Sequence, residues 1–382
     1  KLGGGILWNG TDGIISGSTF TGNTAEYGSA VYWNNVNCTL SFSTFTDNNA
    51  TIAGGAIYWY GADGSLTSCT FNNNTSKNGG AIYWYGASGR LEGSNFTGNN
   101  ANRGGAIYWY GADGNLTSSI FINNAAQVWG GGIYWIAENG TLTNSKFINN
   151  TAQYGGGTFW DSANGNLANS TFTDNTAKVE GGGVYWRGSN GNLTSSTFIH
   201  NTANYGGAVR WFSANGILTR CTFTNNTANT SGGAVYWSGN KGTLTDSNFS
   251  KNIANNQYGG AIYWGGVDGN LTSSIFINNA AQVWGGGIYW IAENGTLTNS
   301  KFINNTAQYG GGTFWDSANG NLANSTFTDN TATTVGGGVY WRGFNGNLTN
   351  SIFTSNNGAG VSWYGANGSL SDSKFISNSG EY

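Results

Sequence analysis

The sequence contains no proline and only three cysteines, and charged residues make up 8% of its 382 positions. Each scarcity excludes something. Without proline every backbone N–H is retained, which suits an architecture that needs most of them in strand ladders. Three cysteines cannot build a disulfide framework. Cys69 and Cys221 hold a repeat position usually taken by serine (Ser94, Ser119, Ser145), and six repeats at ~4.8 Å put them roughly 29 Å apart, beyond bonding reach. All three are expected as free thiols, two of them buried and Cys38 in a turn. An ordinary soluble protein carries ~25% charged residues, and a net charge of −3 gives no field for nucleic acid or an anionic membrane. No apolar run reaches the ~18 residues of a membrane-spanning helix, so no membrane insertion is expected. The chain starts at Lys1 with no apolar leader, which predicts a processed chain or an excised segment.

Glycine, asparagine, serine and threonine stand where the charge is missing. Gly104-Gly105-Ala106-Ile107-Tyr108-Trp109, followed by Phe121-Ile122-Asn123-Asn124, is one of fifteen versions of the same pair, from Trp8 and Phe20 to Trp363 and Phe375. A spacing of about 25 residues signals a solenoid, in which one repeat cannot bury its own apolar face. Comparing repeats within the chain predicts facing. The Ile107 column stays aliphatic or Thr and the Trp109 column stays Trp, while the column between them accepts Tyr, Phe, Arg210 and Ser362. Period-two alternation then points Ile and Trp inward and Tyr outward. Asp113-Gly114 and its equivalents are turns. Leu116, Ser119 and Phe121 continue inward, and Asn124 and its equivalents are expected to bond amide to amide as a buried ladder. The Thr-Ala-x-x stretch before the next Gly-Gly is expected as surface loop. Strands of four to five residues with Gly-rich corners, stacked in register, make an all-β parallel β-helix, or β-solenoid, of about fifteen coils. One continuous domain over 1–382 is expected, with residues 113–177 repeated without a change as 268–332. Helical repeats are excluded by the density of glycine and the lack of a 3.6-residue stripe.

The Gly-Gly-Ala-Ile/Val motif (Gly54 to Ile57, Gly79 to Ile82, Gly206 to Val209, Gly232 to Val235) with Phe-x-x-Asn in every coil resembles the repeats of chlamydial polymorphic outer membrane proteins. The Asn-Leu-Thr-x-Ser-x-Phe-x-x-Asn-x-Ala run is similar to that of adhesin-like surface proteins of methanogenic archaea. The resemblance spans essentially the whole chain. It implies a right-handed, single-stranded parallel β-helix, extracellular exposure, and a role in adhesion or cell-surface structure. A C-terminal membrane barrel like that of the chlamydial proteins does not occur in this sequence.

Parallel β-helices also include polysaccharide lyases and hydrolases, which need clustered carboxylates. Here the acids are scattered about one per coil. Asp63 and Asp113 share a column with Ser88 between them, and Asp174 falls beside His200, the only histidine. The expectation is therefore no catalytic residues, no metal, no cofactor and no enzyme, with a polysaccharide lyase or hydrolase on the pectate-lyase-like fold as a further alternative. Copying whole coils extends a surface and adds nothing to one composite active site. The expected function is that of a secreted, adhesin-like or filament-forming structural protein at the cell surface. A carbohydrate-binding module using Tyr58, Tyr60, Tyr83, Tyr85, Tyr108 and Tyr110 as one outward face is the alternative, since stacked aromatics grip sugar faces; cross-strand stabilisation is the plain one. Expected partners are further copies stacked end to end, or glycan and cell-surface ligands. Candidate glycosylation sequons start at Asn9, Asn37, Asn95, Asn115, Asn139, Asn192, Asn270, Asn294, Asn347 and Asn367. Two ion pairs across adjacent coils are also expected, Asp161 with Arg187 and Asp316 with Arg342.

Overall fold

Corners decide the coil. In the computed structural model, which describes residues 1–380, the coil starting at Gly104 has left-handed backbone at Gly104 (φ 62°), Asp113 (56°), Ser118 (53°) and Asn123 (55°). Between these corners run four strands, Ile107–Trp109, Asn115–Thr117, Ile120–Ile122 and Ala125–Trp129. Most strands are three residues long, shorter than expected, because corners fall five residues apart at Asp113, Ser118 and Asn123. The Ser118 and Asn123 corners are not foreseen from sequence, although Asn, Asp, Gly and Ser dominate both columns. The paired glycines serve two purposes. Gly104 supplies the positive φ, whereas a Cβ on Gly105 would strike the carbonyl oxygen of Gly131 in the next coil.

The chain divides into two compact units, Lys1–Asn192 and Leu193–Tyr382. The first carries eight Trp strands, from Ile6–Trp8 to Val184–Trp186; the second carries seven, from Val209–Trp211 to Val361–Trp363. In both, strands of successive coils pair in parallel with like residues opposite like. Ile82, Tyr83 and Trp84 lie against Ile107, Tyr108 and Trp109, and Ile262, Tyr263 and Trp264 against Ile288, Tyr289 and Trp290. The stretch expected as loop is instead a fourth strand. Ala101 pairs with Ala126, and a register shift follows before Arg103 meets Trp129. Alanine is small enough to face inward there, and the shift absorbs the variable spacing.

The interior is a set of columns. Ile107, Trp109, Leu116, Ser119, Phe121 and Asn124 are all at 0% exposure, as the alternation predicts for Ile and Trp. Trp84 and Trp109 stack at 4.7 Å and 3°, Phe96 and Phe121 at 4.8 Å and 2°. The second unit repeats this with Trp264–Trp290 at 4.6 Å and Phe276–Phe302 at 4.7 Å. The asparagine ladder forms as expected. Asn124 Nδ2 donates to Asn150 Oδ1 at 3.0 Å and to the Phe96 carbonyl at 3.0 Å, while its backbone N–H also donates to Asn150 Oδ1 at 3.0 Å. A second polar ladder runs beside it: Ser119 N–H donates to Ser145 Oγ at 3.1 Å, and Ser119 Oγ donates to the Thr117 carbonyl at 2.9 Å. Buried polar side chains are tolerated because these ladders satisfy them.

All three cysteines are free and buried, including Cys38, which was expected in a turn and not among the two buried thiols. Burial pushes the thiol of Cys69 up to about 11 and that of Cys221 up to about 12. Among the described residues no helix is long and apolar enough to cross a membrane.

Candidate functional site

A residue that follows the Trp of its coil leaves the strand and turns outward. In three successive coils of the first unit this residue is tyrosine. Tyr60, Tyr85 and Tyr110 are 45%, 38% and 45% exposed. Their backbone N–H groups donate to Trp33, Trp59 and Trp84 carbonyls at 2.7–2.8 Å, which fixes them in register. The rings stack at 4.9 Å with interplanar angles of 1° and 6°. Tyr85 therefore has both faces covered, and the row offers ring edges to a ligand rather than faces. In the adjoining coils the column continues as Asn34 and Ile136.

The other three tyrosines do not share this surface. Tyr58 and Tyr83 are half-buried and Tyr108 is only 8% exposed. Tyr108 belongs to a cluster with Tyr134, Phe159 and Tyr185, against which Trp129 and Tyr154 pack. The expectation of one outward face of six tyrosines is thus corrected to an exposed row of three. Trp129 and Tyr154 end their fourth strands and fold over the tyrosine column, and Arg103 lies 4.6 Å above the Trp129 ring. Burial, helped by neighbouring phenols, holds the Tyr58 and Tyr83 hydroxyls well above the usual phenol range. An aromatic at the end of the Ala-x-x stretch, where other coils carry Ala53, Asn78, Arg103, Glu180, Ser231 or Val335, was the available signal for this cover.

Both expected ion pairs form. Arg187 Nε lies 3.3 Å from Asp161 Oδ1, and Arg342 Nε lies 3.5 Å from Asp316 Oδ1. Each aspartate also accepts a tyrosine hydroxyl, Tyr134 at 3.1 Å and Tyr289 at 3.5 Å. Burial raises the carboxyl of Asp316 against the opposing pull of Arg342. At the Asx-Gly turns, Asp113 Oδ1 accepts from Asn139 Nδ2 at 3.0 Å, and Asp268 Oδ1 accepts from Asn294 Nδ2 at 2.9 Å. Among the described residues, no three His, Cys, Asp or Glu side chains come together as a metal site. Of the sequon asparagines, Asn192 and Asn347 are half-buried with their amides donating to Asn166 and Asn321 at 3.0 Å. The other eight are exposed.

A family described as right-handed β-helix region matches residues 4–176, 156–323 and 233–381. The chain belongs to this family. The match is to the β-helix as a repeat class and does not distinguish the surface-protein families that the repeats resemble. No curated protein matches the sequence. Among solved structures, the β-helix is similar to a mutant tailspike protein of Escherichia coli bacteriophage HK620 in complex with a hexasaccharide. The identity there is 12% and the TM-score 0.43, over 95% of this chain and 74% of that one. A double mutant of the same tailspike gives 12% and 0.43, over 96% and 72%. The alginate lyase AlyF-OU02 in a complex gives 10% and 0.38, over 98% and 79%. The expectation that the chain is not an enzyme is corrected by this finding.

Proposed function

We propose that this β-helix is a secreted, adhesin-like protein of the cell surface that contacts carbohydrate through its exposed tyrosine row. The observation that carries the reading is the alignment of Tyr60, Tyr85 and Tyr110, stacked at 4.9 Å and each more than a third exposed. With the faces between coils covered, the rings bind by edge and hydroxyl, and a linear glycan lying along the row meets the same group in each of the three coils. Tyrosine suits this, having an apolar body, a polar tip and little rotamer freedom to lose. The test is a panel of immobilised glycans probed with the parent and with Tyr60, Tyr85 and Tyr110 all changed to Ala. The triple variant is expected to bind linear glycan more weakly than the parent while melting close to it, because the changed positions are exposed. Undiminished binding by the triple variant removes the reading.

Self-association by stacking of coils is a second reading, favoured by register. Every coil carries the same columns, so the open edge of one matches the opposite edge of another. Such a contact is heterologous and does not close, which makes filaments. Sedimentation over a wide range of concentration tests it, and a monomer throughout argues against it.

A further inference from the structure

Beside the second ion pair, Glu293, Asp316, Ser317, Arg342 and Phe344 line a cleft of about 300 Å³ within the second unit. Phe344 is 61% exposed. Its column is fixed by the backbone: Asn319 N–H donates to the Phe344 carbonyl and Asn345 N–H to the Ala366 carbonyl, both at 2.9 Å. The same column carries Ala318 on one side and Ala366 on the other. Neither has a ring to stack on Phe344, so its faces stay open, unlike those of the tyrosine row. Arg342 is engaged by Asp316 at 3.5 Å, while Glu293 is exposed and gives the cleft a surplus negative charge. At the cleft, Ser317 is 5% exposed, and among the described residues its hydroxyl has no partner.

The duplicated segment supplies a control within the chain. In the first unit the same positions are Glu138, Asp161, Ser162 and Arg187, but Ser189 stands where Phe344 would be. There the Ser162 hydroxyl donates to the Ala137 carbonyl.

We propose that the Phe344 cleft holds an uncharged pyranose unit of a glycan, its apolar face on the ring and its hydroxyls on Asp316, Arg342 and Glu293. A few convergent polar groups beside one apolar plane is the usual composition of a small-molecule site, and hydrogen bonds to ionised groups are the stronger kind. An acidic sugar is disfavoured, because its carboxylate would meet Glu293 while the one guanidinium is already paired. The proposal deepens the carbohydrate reading and rests on it.

Calorimetric titration of the full chain with neutral oligosaccharides and with oligouronates tests it. Neutral oligosaccharide is expected to bind, with Phe344→Ala weakening it at least about tenfold, as loss of an aromatic anchor does. Ser189→Phe is expected to add one binding site by completing the first-unit copy. Melting of both variants near the parent excludes misfolding as the cause. Unchanged affinity in Phe344→Ala, or oligouronate bound as tightly as neutral glycan, overturns the proposal. Binding that responds only to the Tyr60, Tyr85 and Tyr110 changes overturns this proposal and leaves the broader reading standing. Absence of binding to any glycan overturns both.

Discussion

At Asp113-Gly114 the two residues of one turn answer to different constraints. Asp113 takes a φ of 56°, which Asx residues accept at small cost. Gly114 has no such torsion; it is bare because a Cβ would run into the indole of Trp109. Gly114→Ala is therefore expected to destabilise by ~1–3 kcal/mol through overpacking, whereas Asp113→Asn, the residue other coils use, should leave denaturant midpoints nearly unchanged. The cysteines make a second residue-scale case. Cys221 is 1% exposed and its thiol is pushed up to about 12, so a thiol reagent should label it only on unfolding. Fast labelling of Cys69 or Cys221 in the native protein would contradict this. The sign of the linkage follows. Both folded values lie above the ordinary 9, so the unfolded chain loses its thiol protons first. Stability from these groups is full below pH 9 and falls as pH rises from 9 towards 12.

Elements of three residues are too short to stand alone, and the stacked columns hold them. Phe172→Ala should cost ~3–5 kcal/mol through the cavity it leaves, since Phe172 is 0% exposed and stacks on Phe147 at 4.7 Å. Asn124→Ala leaves the Phe96 carbonyl short of a donor and the Asn99 backbone and side-chain N–H groups short of their acceptor, all at 0% exposure, while Asn150 Oδ1 keeps the backbone N–H of residue 124. About 1–3 kcal/mol per unmet group is expected. Urea unfolding of the two variants measures both. The inward columns were legible because one chain repeats them, so that substitution at a position reports its facing. The fourth strand was not, since its only inward marker is a single alanine and its length varies. The burial of Tyr108 was missed for the same reason, because Trp129, which covers Tyr134 and Phe159 of the same cluster, is set by that strand's register shift. Phe344 escaped notice because its column carries a ring there in one coil, where other coils have Ala, Val, Ser, Asn or Glu, with no repetition to draw attention to it.

At the scale of the molecule, identical segments sit in different surroundings. Trp129 in the first unit lies beneath Arg103 at 4.6 Å, while its copy Trp284 in the second stacks on Tyr258 at 4.6 Å and 12°. Neighbouring coils outside the copied segment set the surface, and the core columns do not change. Stability in such a stack is a sum of coil and interface contributions, so protection should follow coverage. Leu370 and Phe375 are 48% and 46% exposed, against 0% for Leu297 and Phe302 in the same unit. Amide exchange is expected to be fastest in the Leu370 coil and slowest around Leu297; uniform exchange would refute it. The asparagine ladder carries a further consequence. Each side-chain amide from Asn23 to Asn150 donates to the next coil on, and the same sense holds from Asn201 to Asn356. The amide dipoles of a column therefore add instead of cancelling. Each unit has an electrical direction written into its dry interior, positive towards higher residue numbers, as an α-helix has along its axis but made from side chains.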